Sequence, residues 1–205
     1  MLSIQTIHPN TLELLKQLAS QPELAQTRLV GGTALALQYG HRQSIDLDFF
    51  GALPEDKDEL IDMVKRLGNV TITNKSKSIV QTIINNVEVD FVDYSRYAWI
   101  DEPIQGEGFL LASDKDIAAM KVNAIIGRGT RKDFIDLYVL LLHYSLSEIM
   151  GFYKQKYPEF SEYRALLSMT YFEDAEMQDM PKMFISTPWD EMKKMILNVV
   201  RAYQQ

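Results

Sequence analysis

A Gly-Gly-Thr turn followed by two alternating aspartates constrains this chain more than any other feature. Residues 29–50 read LVGGTALALQYGHRQSIDLDFF, with a short apolar run before the glycines. That run predicts a strand, residues 33–39 predict a helix that Gly40 ends, and residues 44–50 predict a second strand. The helix would begin at glycines, so its first backbone N–H groups would lie open to an anion.

Gly31, Gly32 and Thr33 form a candidate phosphate-binding turn. A helix N-terminus carries a partial positive charge, glycines let a ligand approach the backbone, and a hydroxyl adds one donor. Glycine pairs before helices more often serve only as turns, so this motif by itself is weak. Its spacing also differs from the GxxxxGK[ST] phosphate loop and from the GxGxxG dinucleotide motif.

Asp46 and Asp48 are separated by one residue on the second predicted strand. Residues i and i+2 of a strand project from the same face, so the two carboxylates lie side by side while Leu47 points into the core. Neighbouring carboxylates repel unless a cation neutralises them, and Mg²⁺ or Mn²⁺ prefers such oxygen ligands. The pair predicts a metal site; a solvent-facing strand edge with two charges is the alternative.

A third carboxylate, Asp90, lies on a strand predicted over residues 87–94. Val89 faces one side of this strand, and Asp90 faces the other side together with Glu88. In a two-metal site Asp90 would complete the ligand set and accept the proton of an attacking hydroxyl. Glu88 and Asp93 compete for that role, and an ordinary exposed carboxylate is the alternative.

Composition narrows the functions that these motifs can serve. The chain has 205 residues, a formal net charge of −7, three histidines and no cysteine. The acidic balance argues against general coating of nucleic acid, and DNA is not expected as a partner. The lack of cysteine excludes disulfides, thiol catalysis and cysteine-ligated zinc. We recognise no signal peptide and no membrane span, and therefore expect a cytoplasmic protein with no membrane partner.

Near residue 112 the pattern changes from mixed helices and strands to helices alone. Ser113 and Thr130 each begin a predicted helix, with an aspartate three residues later as in a capping box. No Gly/Ser/Pro-rich linker marks the change. We therefore predict an α/β core over residues 1–112 and a helical C-terminal part over residues 113–205, packed on that core.

The helical part adds a candidate lysine and two candidate aspartates. Lys121 lies at the edge of an apolar helix face, where a lysine ordinarily extends its amine to solvent; the functional alternative is a phosphate ligand. Asp133 and Asp136 share one face of the next helix. One of them would orient Lys121 or hold an acceptor, and we favour Asp133, although its capping position gives it a structural role as well.

Arg42 and Ser44 lie between the predicted helix and the Asp46–Asp48 pair. Arg42 would either contact phosphate or form an ion pair with those aspartates. Ser44 would shape the turn into the strand.

The order of these motifs resembles the pattern of the nucleotidyltransferase superfamily: a glycine turn, a [DE]h[DE]h strand and a later h[DE]h strand. Here the motifs are VGG at residues 30–32, DLDF at 46–49 and VDF at 89–91. The strings GGTALAL, HRQS and DLDFF resemble more narrowly the AbiEii/AbiGii toxin family of bacterial nucleotidyltransferases. That family also carries a later lysine and an RKDxxDL-type segment, which match Lys121 and residues 131–137.

The resemblance implies an α+β fold of the nucleotidyltransferase (polymerase-beta-like) class, with a small mixed or antiparallel sheet flanked by helices. It implies transfer of a nucleoside monophosphate from an NTP, with Mg²⁺ or Mn²⁺, to an RNA such as tRNA or to a protein. It further implies the toxin of a toxin–antitoxin or phage-defence system, with a cognate antitoxin as partner. The implied metal ligands are Asp46, Asp48 and Asp90, the implied nucleotide contacts are Gly31, Gly32, Thr33, Arg42, Ser44 and Lys121, and the implied catalytic residues are the three metal ligands with Lys121 and Asp133.

Two alternatives remain open at this point. The same fold could transfer a nucleotide to a small molecule such as an antibiotic, or it could bind nucleotides without catalysis. A closed acceptor pocket would favour a small molecule, whereas an open basic groove would favour tRNA. The intact carboxylates argue against a module that has lost catalysis.

Overall fold

The computed structural model describes residues 1–159 and 161–205 of the chain. Within these residues, one sheet of seven strands is accompanied by nine α-helices. The strands are β1 Thr27–Leu29, β2 Leu47–Gly51, β3 Val70–Lys75, β4 Ile79–Ile84, β5 Val87–Asp93, β6 Ile104–Gln105 and β7 Leu110–Leu111. The helices are α1 Pro9–Ala19, α2 Gly31–Tyr39, α3 Lys57–Lys65, α4 Asp114–Gly127, α5 Arg131–Leu141, α6 Leu146–Lys156, α7 Glu162–Met169, α8 Glu173–Glu176 and α9 Trp189–Tyr203.

The sheet is mixed, in the order β3-β4-β5-β2-β1-β7-β6. β2 runs parallel to β5, and β1 runs parallel to β7, whereas the other neighbouring strands are antiparallel. The parallel pairing of β2 with β5 matters most for function because it brings two sequence-distant aspartate motifs together. The prediction of a mixed sheet flanked by helices is confirmed.

The turn between β4 and β5 follows from its sequence. Asn85 and Asn86 adopt φ angles of 50° and 69°, and asparagine is among the residues that tolerate this left-handed region. The turn fixes the register, so that Gln81 on β4 lies opposite Asp90 on β5. The two asparagines therefore join β4 and β5 into a hairpin.

Helix α2 lies inside the molecule, with residues 33–37 all buried. It begins at Gly31, two residues earlier than predicted, because Val30 already adopts the extended conformation of an N-cap. The following strand begins later than predicted, at Leu47. The Ser44 N–H donates to the carbonyl of Thr6 rather than to a neighbouring strand, so Asp46 lies in a loop immediately before β2.

The two helices predicted to begin after Ser113 and Thr130 begin there. The Ser113 hydroxyl accepts the Asp116 N–H at the start of α4, and Thr130 forms a reciprocal capping box with Asp133 at the start of α5. The described buried side chains form one cluster on both sides of residue 112, including Leu35, Ile117 and Ile196. The division of the chain at residue 112 stays a prediction.

None of the described helices is long and apolar enough to cross a membrane alone. Helices α5 and α6 reach that length and apolar composition only together, as a pair bent by 117°.

Candidate active site

Two carboxylates meet in front of the first turn of α2. Asp48 on β2 and Asp90 on β5 occupy paired register positions of adjacent parallel strands, which lie about 4.8 Å apart. The Val30 N–H donates to the Asp48 carbonyl at 2.9 Å, which ties the start of α2 to β2. A Cβ atom at Gly31 would lie 2.3 Å from Asp48 Oδ2, and Gly31 has a φ of +68°. The close carboxylate and the left-handed backbone together require glycine here.

The protein alone neutralises this carboxylate pair poorly. Burial, with repulsion from Asp90, raises the pKa of Asp48 to about 6. Burial also raises the pKa of Asp90, although the Gln81 amide donates to Asp90 Oδ2 at 2.8 Å and opposes this effect. A hard divalent cation would favour the charged form of both groups, so the chemistry of these oxygen donors fits Mg²⁺ or Mn²⁺.

Asp46 lies near the other two carboxylates, and its charge helps to raise the pKa of both, but its side chain is directed toward Lys132. Its side chain is 39% exposed, and one carboxylate oxygen lies 3.7 Å from Lys132 Nζ. Over residues 1–159 and 161–205, no group of three His, Cys, Asp or Glu side chains is gathered so that it could hold a metal ion. The structure therefore brings Asp48 and Asp90 together, whereas Asp46 would have to turn away from Lys132 to join them.

Lys121 binds both aspartates of the RKDxxDL segment. Its Nζ lies 2.9 Å from Asp133 Oδ1 and 2.6 Å from Asp136 Oδ2, and the residue is only 4% exposed. These ion pairs raise the pKa of Lys121 above its ordinary value against the opposing effect of burial. Lys121 is thus a fixed, charged amine, and it is held by two aspartates rather than by the single one that the sequence predicted.

Arg42 occupies a different place from either of those predicted. Its guanidinium is buried and donates two hydrogen bonds to Asp136, from Nε at 2.7 Å and from Nη2 at 2.9 Å. His41 Nε2 lies 2.8 Å from the same carboxylate. A Cβ atom at Gly32 would lie 2.1 Å from Arg42 Nη2, so the second glycine makes room for the arginine. Arg42 follows α2 in the chain and connects that helix to Asp136 on α5; it does not form an ion pair with Asp46 or Asp48.

Thr33 and Ser44 also turn inward. Both are buried, their hydroxyl oxygens lie 2.8 Å apart, and the Thr33 hydroxyl donates to the Asp46 carbonyl. These hydroxyls hold the loop that carries Asp46. The predicted donation from Thr33 to phosphate is not possible from this position without breaking that bond, whereas the backbone N–H groups at the start of α2 have no side-chain cap.

Two exposed cations that the sequence analysis did not single out border the carboxylates. Arg128 follows α4, has a side chain that is 67% exposed, and contacts Asp133 from Nε at 3.1 Å. Its charge opposes the rise in the pKa of both Asp48 and Asp90. Lys132 lies on the first turn of α5. The only sequence signal for Arg128 is its position between two glycines that separate the helices.

Comparison with known proteins identifies the family. A family model described as "Nucleotidyl transferase AbiEii toxin, Type IV TA system" matches residues 13–204. The chain belongs to this family. It is therefore a nucleotidyltransferase, and this AbiEii chain carries the motifs on which the resemblance was based.

One relative in sequence and two solved structures are similar to this chain. The uncharacterized protein aq_aa25 of Aquifex aeolicus (strain VF5) is 34% identical over 182 residues, which cover 85% of this chain and 86% of that protein. JHP933 from Helicobacter pylori has a TM-score of 0.55 at 18% identity and matches 96% of this chain and 92% of its own. The nucleotidyltransferase toxin MenT4 from Mycobacterium tuberculosis H37Rv has a TM-score of 0.50 at 13% identity, with coverages of 91% and 79%. The predicted nucleotidyltransferase fold is confirmed.

Replacing Gly31 in this AbiEii chain by alanine is expected to abolish activity and to lower stability. The new Cβ would overlap Asp48 Oδ2 and would occupy a left-handed backbone, which costs about 1–2 kcal/mol before any displacement of the carboxylate. Pyrophosphate release and thermal unfolding measure the two effects. Gly151→Ala in α6 is the matched control, because a Cβ there meets no atom within 4 Å. If Gly31→Ala kept wild-type activity, that result would contradict a functional requirement for the close approach of Asp48 to the Gly31 backbone.

Proposed function

We propose that this AbiEii-family chain binds an NTP with Mg²⁺ or Mn²⁺ and transfers the nucleoside monophosphate to a hydroxyl group, releasing pyrophosphate. The observation that carries this proposal is the paired position of Asp48 and Asp90 in front of the Gly31 turn. The free backbone N–H groups at the start of a helix bind phosphate, and the carboxylates that face them bind the metal. An attacking hydroxyl can meet both at this place.

Each residue near this turn has a role in the proposal. Asp48 and Asp90 would hold the metal, and Asp46 would join them on releasing Lys132; the bound metal would supply a Lewis acid at the reacting phosphate. The acceptor oxygen forms a bond to the α-phosphorus, the bond from that phosphorus to the pyrophosphate oxygen breaks, and Asp90 takes the acceptor proton. The charge of the leaving pyrophosphate is stabilised by Lys121, Arg128 and Lys132.

The family supports a biological role as well. We infer that the chain is the toxin of a type IV toxin–antitoxin pair, with a cognate antitoxin as partner, and that it acts in the cytoplasm, where NTPs are available. Its acceptor is an RNA such as tRNA, or a protein. Transfer to a small molecule such as an antibiotic is the second candidate, favoured by a cavity beside Asp90 whose volume of about 390 Å³ lies in the range of small-molecule sites.

Metal removal tests the proposal directly. We expect the protein to release pyrophosphate from at least one of the four NTPs when total cellular RNA or protein is supplied with Mg²⁺. Excess EDTA should reduce the rate to background, and Mg²⁺ added beyond the EDTA should restore it, because the adjacent, half-buried carboxylates of Asp48 and Asp90 need a cation to neutralise them. Labelled NTPs would identify the acceptor by transfer of the label. Equal rates with and without EDTA would refute metal dependence.

A further inference from the structure

Two cavities meet at Asp48. The first, of about 390 Å³, is lined by Asp90 and extends along the sheet beneath α4. The second, of about 270 Å³, is lined by Asp46 and opens beside the first turn of α5. Asp48, Lys121 and Arg128 line both cavities and form the partition between them. A reaction at Asp48 would therefore have one substrate on each side.

The two cavities differ in the chemistry of their walls. Beyond the shared residues, the Asp46 cavity is lined by polar and cationic groups, including Lys132, Thr130 and Gln178. The Asp90 cavity reaches the Val30–Gly31 turn at one end, and most of its remaining wall is aromatic or apolar: Phe50, Tyr94, Tyr97, Ile117, Met120 and Tyr157. A triphosphate suits the Asp46 cavity, whereas an uncharged ring suits the aromatic part of the Asp90 cavity.

We infer that the cavity between Asp90 and Tyr97 is the acceptor site and that it takes a nucleoside, whose hydroxyl is the attacking group. The inference rests on the proposed nucleotidyl transfer. A general base must lie within hydrogen-bond reach of the proton it removes, and Asp90 lines this cavity while Asp46 lines the other. The nucleoside oxygen forms the bond to the α-phosphorus, its proton passes to Asp90, and pyrophosphate leaves through the second cavity.

Tyr97 provides the stacking surface. Its ring is partly exposed and packs on Tyr94 at 4.6 Å and on Tyr157 at 5.3 Å between ring centroids, so it is fixed on its buried side. Aromatic rings that are fixed in this way bind nucleobases by stacking with little sequence preference. The volume of the cavity lies in the range of small-molecule sites.

Asn123 provides a polar group in the same cavity. It lies on α4, it is partly exposed, and its side-chain amide forms no hydrogen bond to the residues that the structure describes. An amide offers both donors and an acceptor, which match the hydrogen-bonding edge of a nucleobase or a ribose hydroxyl. Because of this unpaired amide, the cavity is better suited to a nucleoside than to a purely apolar ligand.

A buried ion pair holds the aromatic wall in place before any ligand arrives. Lys156 Nζ donates to Asp116 Oδ1 at 2.7 Å and to the Ala98 carbonyl at 2.9 Å. Asp116 in turn accepts the Ile100 N–H at 2.9 Å. The segment that follows Tyr97 is thereby anchored to α4 and α6, so the cavity is formed in advance of binding.

Binding measurements on two kinds of probe test the assignment. Adenosine, cytidine, guanosine and uridine would each be titrated into the full chain with Mg²⁺ and tripolyphosphate, and Mg²⁺-tripolyphosphate would be titrated alone. We expect at least one nucleoside to bind the wild type. Tyr97→Ala should weaken nucleoside binding tenfold or more and leave tripolyphosphate within twofold, whereas Lys132→Ala should do the reverse. Tyr97→Phe should restore nucleoside binding.

Asn123→Ala is the second variant, in case Tyr97→Ala does not fold, and it should weaken the same nucleoside about fivefold to tenfold. The inference is overturned if tripolyphosphate binds and no nucleoside does, or if neither variant changes nucleoside affinity. It is also overturned if intact NTP displaces the nucleoside while tripolyphosphate does not, because the cavity would then hold the NTP base. Absence of both tripolyphosphate binding and pyrophosphate release would instead refute nucleotidyl transfer itself, and the acceptor site with it.

Discussion

Asp48→Asn is expected to reduce pyrophosphate release by about 10²–10³-fold, the cost of removing one electrostatic stabiliser of a transition state. The thermal stability of the variant should not fall. Burial and the neighbouring Asp90 raise the pKa of Asp48 to about 6, so ionising this carboxyl costs more free energy in the folded protein than in the unfolded chain. Removing that charge relieves repulsion while it removes a metal ligand. Initial rates and thermal unfolding on the same preparation measure both effects.

Glu88→Gln is the matched control for this experiment. Glu88 lies on β5 two residues before Asp90, shares its strand face and is exposed. The same loss of one carboxylate charge at this position should leave activity unchanged, which would separate a metal ligand from a general effect of charge. A wild-type rate in Asp48→Asn, or an equal loss in Glu88→Gln, would contradict the proposed metal site.

Asp136→Asn is expected to lower the free energy of unfolding by about 3–5 kcal/mol, because it leaves the buried Arg42 without its carboxylate partner and Lys121 with only one of its two. Asp136 is fully buried and binds Lys121 Nζ at 2.6 Å, Arg42 Nε at 2.7 Å and His41 Nε2 at 2.8 Å. For a chain of this length such a loss lowers Tm by on the order of 10 °C. Chemical denaturation with thermal unfolding measures the change.

The pH dependence of stability gives a second readout for Asp136. Burial alone would raise the pKa of Asp136, but Arg42 and Lys121 hold it well below its ordinary value. The stabilisation is therefore present above the ordinary aspartate pKa of about 4 and is lost as pH falls toward the lower folded value. Asp136→Asn should lose less stability than the wild type over that acidic range.

A surface ion pair supplies the control for Asp136. Asp62 lies 3.7 Å from Lys65, and both side chains are mostly exposed. Asp62→Asn removes the same charge and should leave Tm unchanged, since exposed pairs contribute little. A Tm shift in Asp136→Asn that is no larger than the shift in Asp62→Asn would contradict a structural role for the buried cluster.

The parts of the fold that the sequence predicted depend on neighbouring residues. The capping box of Thr130 with Asp133 spans three residues, and the Asn85–Asn86 turn lies between two alternating strands. The common face of Glu88 and Asp90 follows from strand geometry alone. Such features are determined within a turn or a hairpin, so tertiary packing did not change them.

The parts of the site that the sequence missed depend on distant residues. Arg42 was expected near phosphate or near Asp46, yet it lies against Asp136, 94 positions away. Thr33 was expected to donate to phosphate, yet its hydroxyl bonds to the Asp46 carbonyl. A buried cation or hydroxyl must find a partner within its reach in the folded molecule, and sequence spacing does not reveal which partner that is.

The sequence by itself determined the glycine turn, the alternation that exposes Asp48 and Asp90, and the starts of the helices after Ser113 and Thr130, since each depends on backbone geometry over a few residues. Only the tertiary structure decided that β2 lies parallel to β5, which pairs Asp48 with Asp90 across 42 positions. It also decided that Lys121 is held by two aspartates and that an aromatic cavity lies beside Asp90. Burial removes water as a partner, so charged and apolar groups must satisfy one another through packing that no local pattern encodes.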